Sequence, residues 1–180
     1  MKKDVMLAIE TMLKNDETKR SIKEGNWEKV AVVALDILSE KDSGRFGKTW
    51  EITVKLYLNG YRGNSCKVSA KGMADLKYHG MRFEVKSNCG EINEDILKND
   101  YILYTMDNEI DCYSPWNAKV IPADEFVEML DNLGLIRTKK STAGYMKKTI
   151  QSYRNSKRKT SLFEKALSEY PTLKEWETSH

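Results

Sequence analysis

The stretch Lys71 to Glu91, KGMADLKYHGMRFEVKSNCGE, decides how this chain is read. His79-Gly80 stands between two alternating runs, and both residues tolerate the positive φ that a two-residue hairpin turn requires. Counted outward from that turn, Tyr78 pairs with Met81, Leu76 with Phe83 and Ala74 with Val85, so one face of both strands is apolar. The other face sets Lys77 opposite Arg82 and Asp75 opposite Glu84, with Lys86 two residues beyond Glu84 on the same strand. Directly opposed like charges destabilise a strand pair by roughly 0.2–1 kcal/mol, so the two carboxylates call for a compensating charge. A divalent cation would supply it. Asp75 and Glu84 offer hard oxygen ligands, and Mg²⁺ commonly takes one or two protein carboxylates and completes its shell with water and phosphate oxygens. Lys86 would border such a site, where an ammonium can orient or deprotonate a water or stabilise charge on a phosphate. The competing reading is a solvated face: in a chain that is 32% charged, a hairpin with acids and lysines on its wet side arises often.

The rest of the composition narrows the classes. A chain of 180 residues, 40% of them hydrophobic, has enough material for one full core plus an appended helical segment. The net charge of +3 hides an asymmetry, because Arg137 to Lys159 holds nine Lys or Arg and no acid, which leaves the remainder net acidic. Such a block suggests an anionic partner. Cys66, Cys89 and Cys112 are odd in number and far apart, and the two histidines are His79 and His180, so neither a zinc site nor a disulfide framework is indicated. No charged-then-apolar leader opens the chain, and the longest apolar run, Val30 to Leu38, is broken by Asp36. The expectation is a cytoplasmic protein that does not enter a membrane.

Periodicity then orders the elements. Val5, Ile9, Met12 and Leu13 place a helix over Met1 to Lys14, a polar stretch runs from Asn15 to Gly25, and a helix capped by Asn26 carries Trp27, Val30, Val33, Ala34, Ile37 and Leu38 up to Asp42-Ser43-Gly44. A third helix, from about Gly47 to Asn59, is apolar on more than one side and so belongs between other elements. Glu51 lies on it, either paired with Lys55 one turn on or reaching the hairpin as a third acid. Ser65 to Ala70 can pair beside the hairpin, a short helical stretch is expected around Asn93 to Leu97, and Tyr101 to Met106 suits a central strand. Cys112 to Ile121 reads as an edge strand, since Pro115 and Pro122 argue against a central one. Ala123 to Leu133 is an amphipathic helix ended by Gly134. The order gives an α/β core.

Gly47-Lys48-Thr49-Trp50-Glu51, a helix ending in Asn59-Gly60-Tyr61, Ala74-Asp75 and Phe83-Glu84-Val85-Lys86 together resemble the PD-(D/E)xK nuclease superfamily. Within it, the pattern is nearest to archaeal-type Holliday junction resolvases and small restriction-endonuclease-like nucleases. The resemblance covers Gly47 to about Met106 and departs from the pattern at Ala74, where the family has proline. It implies a restriction-endonuclease-like core with a mixed sheet, Asp75 and Glu84 as metal ligands, Glu51 as the helix-borne acid completing the site, and Lys86 as the catalytic lysine. It further implies Mg²⁺ or Mn²⁺ as cofactor, hydrolysis of a phosphodiester bond in DNA as the reaction, and, for resolvases of this type, a homodimer matched to a two-fold junction. The same fold also serves proteins that have lost catalysis, so the alternative is a DNA-binding or defence-interfering accessory protein of a phage or mobile element, acting on a protein partner. The corresponding division of the chain is a helical segment over residues 1–44, the nuclease-like core over 45–136, and a basic segment with a terminal amphipathic helix over 137–180.

In that last segment Lys139, Lys140, Lys147, Lys148, Arg154, Lys157, Arg158 and Lys159 are interleaved with Tyr145 and Tyr153. Cations so spaced suit phosphates, and tyrosines can stack on bases, which makes these residues the candidate nucleic-acid contacts. A helix, the turn at Gly134 and a second helix would form a helix-turn-helix module there, although Met146 to Tyr153 could equally be a strand. Leu162, Phe163, Ala166, Leu167 and Tyr170 mark a terminal amphipathic helix, stopped by Pro171.

Overall fold

The computed structural model describes residues 2–38, 44–58, 67–68, 75–87, 91–92, 94–105, 114–140, 144–150 and 156–180. Helix α1 (Lys2–Lys14) buries Val5, Ala8 and Met12 at helical spacing. The polar stretch after it is itself a helix, α2 (Asp16–Glu24). Asn15 caps it by accepting the N–H groups of Glu17 (2.9 Å) and Thr18 (3.1 Å), and Gly25 closes it in the left-handed region at φ 72°. Hydropathy conceals this helix because its buried face is Thr18, Ser21 and Ile22.

Helix α3 (Trp27–Ile37) starts at the expected cap, with Asn26 accepting the Lys29 N–H at 3.1 Å. It stops before the Asp42-Ser43-Gly44 signal because Leu38 is already extended; Asp42 and Ser43 lie outside the described residues. Helix α4 (Arg45–Leu56) is enclosed as its apolar girth requires, with residues 48–50 and 52–56 buried.

Strands β1 (Lys67–Val68), β2 (Leu76–Tyr78), β3 (Met81–Ser87), β5 (Tyr101–Thr105) and β6 (Lys119–Pro122) form one mixed sheet in the order β1-β2-β3-β5-β6. The β3–β5 pair is parallel and the rest are antiparallel. The hairpin turn is as read: His79 at φ 49° and Gly80 at φ 81° fix Tyr78 opposite Met81, Lys77 opposite Arg82 and Leu76 opposite Phe83. Ala74, expected opposite Val85, lies outside the described residues. The 3-10 turn Glu94–Lys98 leads into β5, which is central as its composition demanded, while β6 is an edge strand.

Alternation along the strands sorts two cores. Leu76, Tyr78, Phe83, Leu103 and Val120 pack with α1, α3 and α4; Ile102, Tyr104 and Ile121 face the other way, with α5 (Ala123–Asn132) and α6 (Lys157–Ser168). Helices therefore cover both faces of the sheet.

A second sheet was not foreseen. Strand β4 (Glu91–Ile92) pairs with β8 (Met146–Ile150), which pairs with β7 (Ile136–Lys140). The segment after Gly134 (φ 60°) is thus a β-hairpin, and the helix-turn-helix alternative is corrected. Buried Ile150 and half-buried Ile136, which face each other in the ladder, root the hairpin in the second core.

Beyond Pro171 the chain forms one more helix, α7 (Leu173–Ser179), begun by a capping box of Thr172 and Glu175. Trp176 meets Phe83 edge-on at a centroid distance of 5.4 Å, and Glu177 accepts from the Tyr78 hydroxyl at 2.8 Å and the Tyr57 hydroxyl at 3.3 Å. The chain's last helix thus closes over the hairpin with which the reading began. No helix among the described residues is long and apolar enough to cross a membrane.

Candidate active site

Four side chains singled out in the sequence gather around β3 and α4. Glu84 and Lys86 stand in register with Ile102 and Tyr104 across the parallel ladder and so share one face of the sheet. Lys86 Nζ donates to Glu84 Oε1 at 2.9 Å, with the two side chains only 13% and 18% exposed. The β2–β3 ladder ends at Leu76 opposite Phe83, one pair short of Asp75 and Glu84. Asp75 instead turns its carboxylate onto the strand, where Oδ2 accepts the Val85 N–H at 2.9 Å. That bond occupies a β3 backbone donor at the point where β2 has ended, and holds Asp75 one residue from both Glu84 and Lys86.

Helix α4 brings the third acid. Its N-terminal turn runs against the end of β3, where a Cβ added at Gly47 would sit 3.8 Å from Ser87 Oγ. Glu51, one turn on, accepts a short hydrogen bond from Lys55, whose side chain is 1% exposed. Glu51 is thus paired with Lys55, and its carboxyl also feels the charges of the hairpin acids. Burial pushes its carboxyl above the usual carboxylate range, the negative Asp75 and then Glu84 add to that, and Lys55 opposes it.

The donor set is oxygen only, which suits a hard divalent ion such as Mg²⁺ or Mn²⁺. Among the described residues no group of three or more His, Cys, Asp or Glu side chains is placed to hold a metal ion. A metal held here would therefore rely on Asp75 and Glu84, with Glu51 beside them, and leave positions for water and phosphate oxygens, the usual habit of Mg²⁺. Cys66, Cys89 and Cys112 lie outside the described residues.

The basic candidates are dispersed over two elements. Lys139 and Lys140 are exposed on β7 and Lys148 on β8; Tyr145, 59% exposed, precedes β8. Lys147 stands opposite Lys139 in the ladder. Lys157 and Arg158 are exposed in the first turn of α6. Lys159 has a structural task, donating from Nζ to the Gly134 carbonyl at 3.1 Å just past the end of α5, where a cation complements the helix dipole. Tyr153 and Arg154 lie outside the described residues.

Sequence reasoning treated Lys55 only as a rival partner for Glu51. The available signal was a lysine in the middle of a helix apolar all round, a place where an ammonium needs an acid. Comparison of the chain with protein-family models, with curated proteins and with solved structures finds no match.

Proposed function

We propose that this chain is a metal-dependent DNA endonuclease of PD-(D/E)xK type, built on a restriction-endonuclease-like core and acting on branched, junction-like DNA. The observation that carries the reading is the convergence of Glu51, Asp75 and Glu84, acids drawn from a helix and both sides of a hairpin: Asp75 is fixed on β3 by the Val85 N–H, and burial first, then repulsion from Asp75 and Glu84, raises the Glu51 carboxyl. A sheet selected for stability alone gains nothing from that repulsion. The family resemblance assigns the same three acids, together with Lys86.

Asp75 and Glu84 would hold Mg²⁺ or Mn²⁺, which when bound supplies Lewis-acid polarisation of a phosphoryl oxygen and a more acidic water. Asp75 is oriented by the Val85 N–H, which fixes its carboxylate with respect to β3. Lys86 enters as a donor, already hydrogen-bonded to Glu84, and is placed to hold a phosphate oxygen or to carry charge developing on it. Burial and the neighbouring acids hold the Glu51 carboxyl toward the protonated form, which suits it to exchange a proton with water at the site.

A second reading rests on a specific observation: Glu84 and Glu51 each already have a lysine partner, so the site can close without a cation. An accessory protein that binds DNA, or interferes with a defence system, without cutting would be built this way. One gel separates the two. Four-way junction, flap, single-stranded and linear duplex DNA are incubated with the protein in Mg²⁺, Mn²⁺ or EDTA. Cleavage in either metal that stops in EDTA and in Asp75→Asn supports the nuclease. Retarded but intact DNA in all three conditions rejects cleavage and supports the accessory protein.

A further inference from the structure

The outer half of the β7–β8 hairpin serves no core. Ile150, buried, and Ile136, half-buried, are its root, while Arg137, Thr138, Lys139, Lys140, Tyr145, Met146 and Lys148 are all exposed. Strand β4 flanks β8 only opposite Lys148 and Thr149, so toward the tip the pairs Lys139–Lys147 and Lys140–Met146 make a two-stranded ribbon among the described residues. Lysines on an edge strand can discourage pairing with another chain, but that accounts for β7 alone and not for Lys148 on the inner strand. A cationic ribbon that also exposes Tyr145 and Met146, 59% and 64% exposed at the outer end of β8, instead has the charge and shape of a groove ligand.

We propose that this ribbon enters the major groove of duplex DNA beside the site, with Lys139, Lys140 and Lys148 directed to base edges and phosphates and Tyr145 and Met146 at the leading tip. Two paired strands lie about 4.8 Å apart, and with their side chains they fit a groove about 12 Å wide and 8.5 Å deep. The A-form major groove of RNA is too narrow to admit them. Ser87, next to Lys86, is four residue steps from Glu91, hence at most about 14 Å from it. Glu91 pairs with Thr149 at the root. The ribbon is thereby tethered within one helical turn, about 34 Å, of the acidic site. Lys157 and Arg158 act separately, as phosphate contacts; in the first turn of a helix they oppose its dipole, so helix stability does not explain them. The inference rests on the chain acting on DNA and does not require that it cut.

The full chain in EDTA is bound to a mixed-sequence DNA duplex, the matching single strand and an RNA duplex, and guanine N7 atoms are probed with dimethyl sulfate. The duplex DNA is expected to bind best, with N7 protected, and methyl green but not the minor-groove ligand netropsin should displace the protein. Lys139→Ser/Lys140→Ser/Lys148→Ser should lose the protection and bind on the order of tenfold weaker or more. Its salt slope should fall by about 0.9 for each lost phosphate contact, at an unchanged melting temperature. Tyr145→Ser/Met146→Ser should lose protection while keeping the slope, and Lys157→Ala/Arg158→Ala should lower the slope and keep protection. Duplex binding with N7 open, ribbon variants that protect like the wild type, or tighter binding of the single strand or the RNA duplex would overturn the ribbon alone. Failure to bind any DNA would overturn both the ribbon and the proposed function.

Discussion

The two hairpins of this protein are built from similar materials and put to opposite uses. In β2–β3 a two-residue turn and a buried apolar face hold the register, and like charges, Lys77 and Arg82, are opposed on the wet side. In β7–β8 like charges are again opposed, Lys139 and Lys147, but the apolar anchor is only the root pair of buried Ile150 and half-buried Ile136. The first hairpin is a scaffold that fixes acids against a helix, whereas the second is an arm whose outer pairs no core specifies. Stability and chemistry should separate along that line.

The sharpest break is expected in activity. Asp75→Asn and Lys86→Ala should each reduce cleavage on the order of 10²–10³-fold or more, the loss typical when one group acting on the transition state is removed, with binding of DNA in EDTA retained. Cleavage near wild-type rate in either variant would place the chemistry elsewhere. Next in size is stability. Phe83→Ala, at a fully buried ring meeting Trp176 and Tyr101, should destabilise by about 3–5 kcal/mol in urea unfolding, and Met146→Ala by no more than about 0.5 kcal/mol. Equal losses would mean that the arm is part of the core after all.

Within the first hairpin's surroundings, Lys55→Met should destabilise by about 3–5 kcal/mol because it leaves Glu51 buried near two acids without its donor. Lys55→Met/Glu51→Gln should recover most of that, and a double variant no better than the single would show that the lysine acts by packing. Asp75→Ala should cost about 1–2 kcal/mol through the orphaned Val85 N–H, while Asp75→Asn keeps an acceptor and should cost less; the difference is readable as a shift in the unfolding midpoint.

The smallest effect is the pH dependence. Glu51 is raised above its ordinary value of 4.5, so the folded chain binds more protons than the unfolded one as pH rises past that value, and its ionised form detracts from stability above it. Glu51→Gln removes both that titration and the acid that buried Lys55 needs, so in metal-free buffer it should melt below the wild type, by a deficit that shrinks as pH rises past 4.5. A deficit that grew with rising pH would reverse the sign of the interaction.

What the sequence alone determined is whatever local rules over-specify. His79-Gly80 admits one tight turn, the alternation from Leu76 to Val85 admits one buried face, Asn26 starts a helix, and the girth of α4 demands enclosure; from these the acids and Lys86 could be named and put on neighbouring strands. Where local signals were weak, tertiary packing decided. Helix α2 is invisible to hydropathy because its buried face is hydroxyls, and α7 was written in Thr172-x-x-Glu175 but hidden behind Pro171. The β7–β8 arm could not be told from a helix, since its strand form depends on Ile136 and Ile150 reaching a core assembled from α5, α6 and the far face of β5. The same holds at the site. Sequence spacing opposed Asp75 to Glu84, but only the fold ended the ladder at Leu76, turned Asp75 onto the Val85 N–H, and brought α4 close enough for Glu51 to feel both acids, because interactions between elements distant in sequence are set by packing and not by spacing.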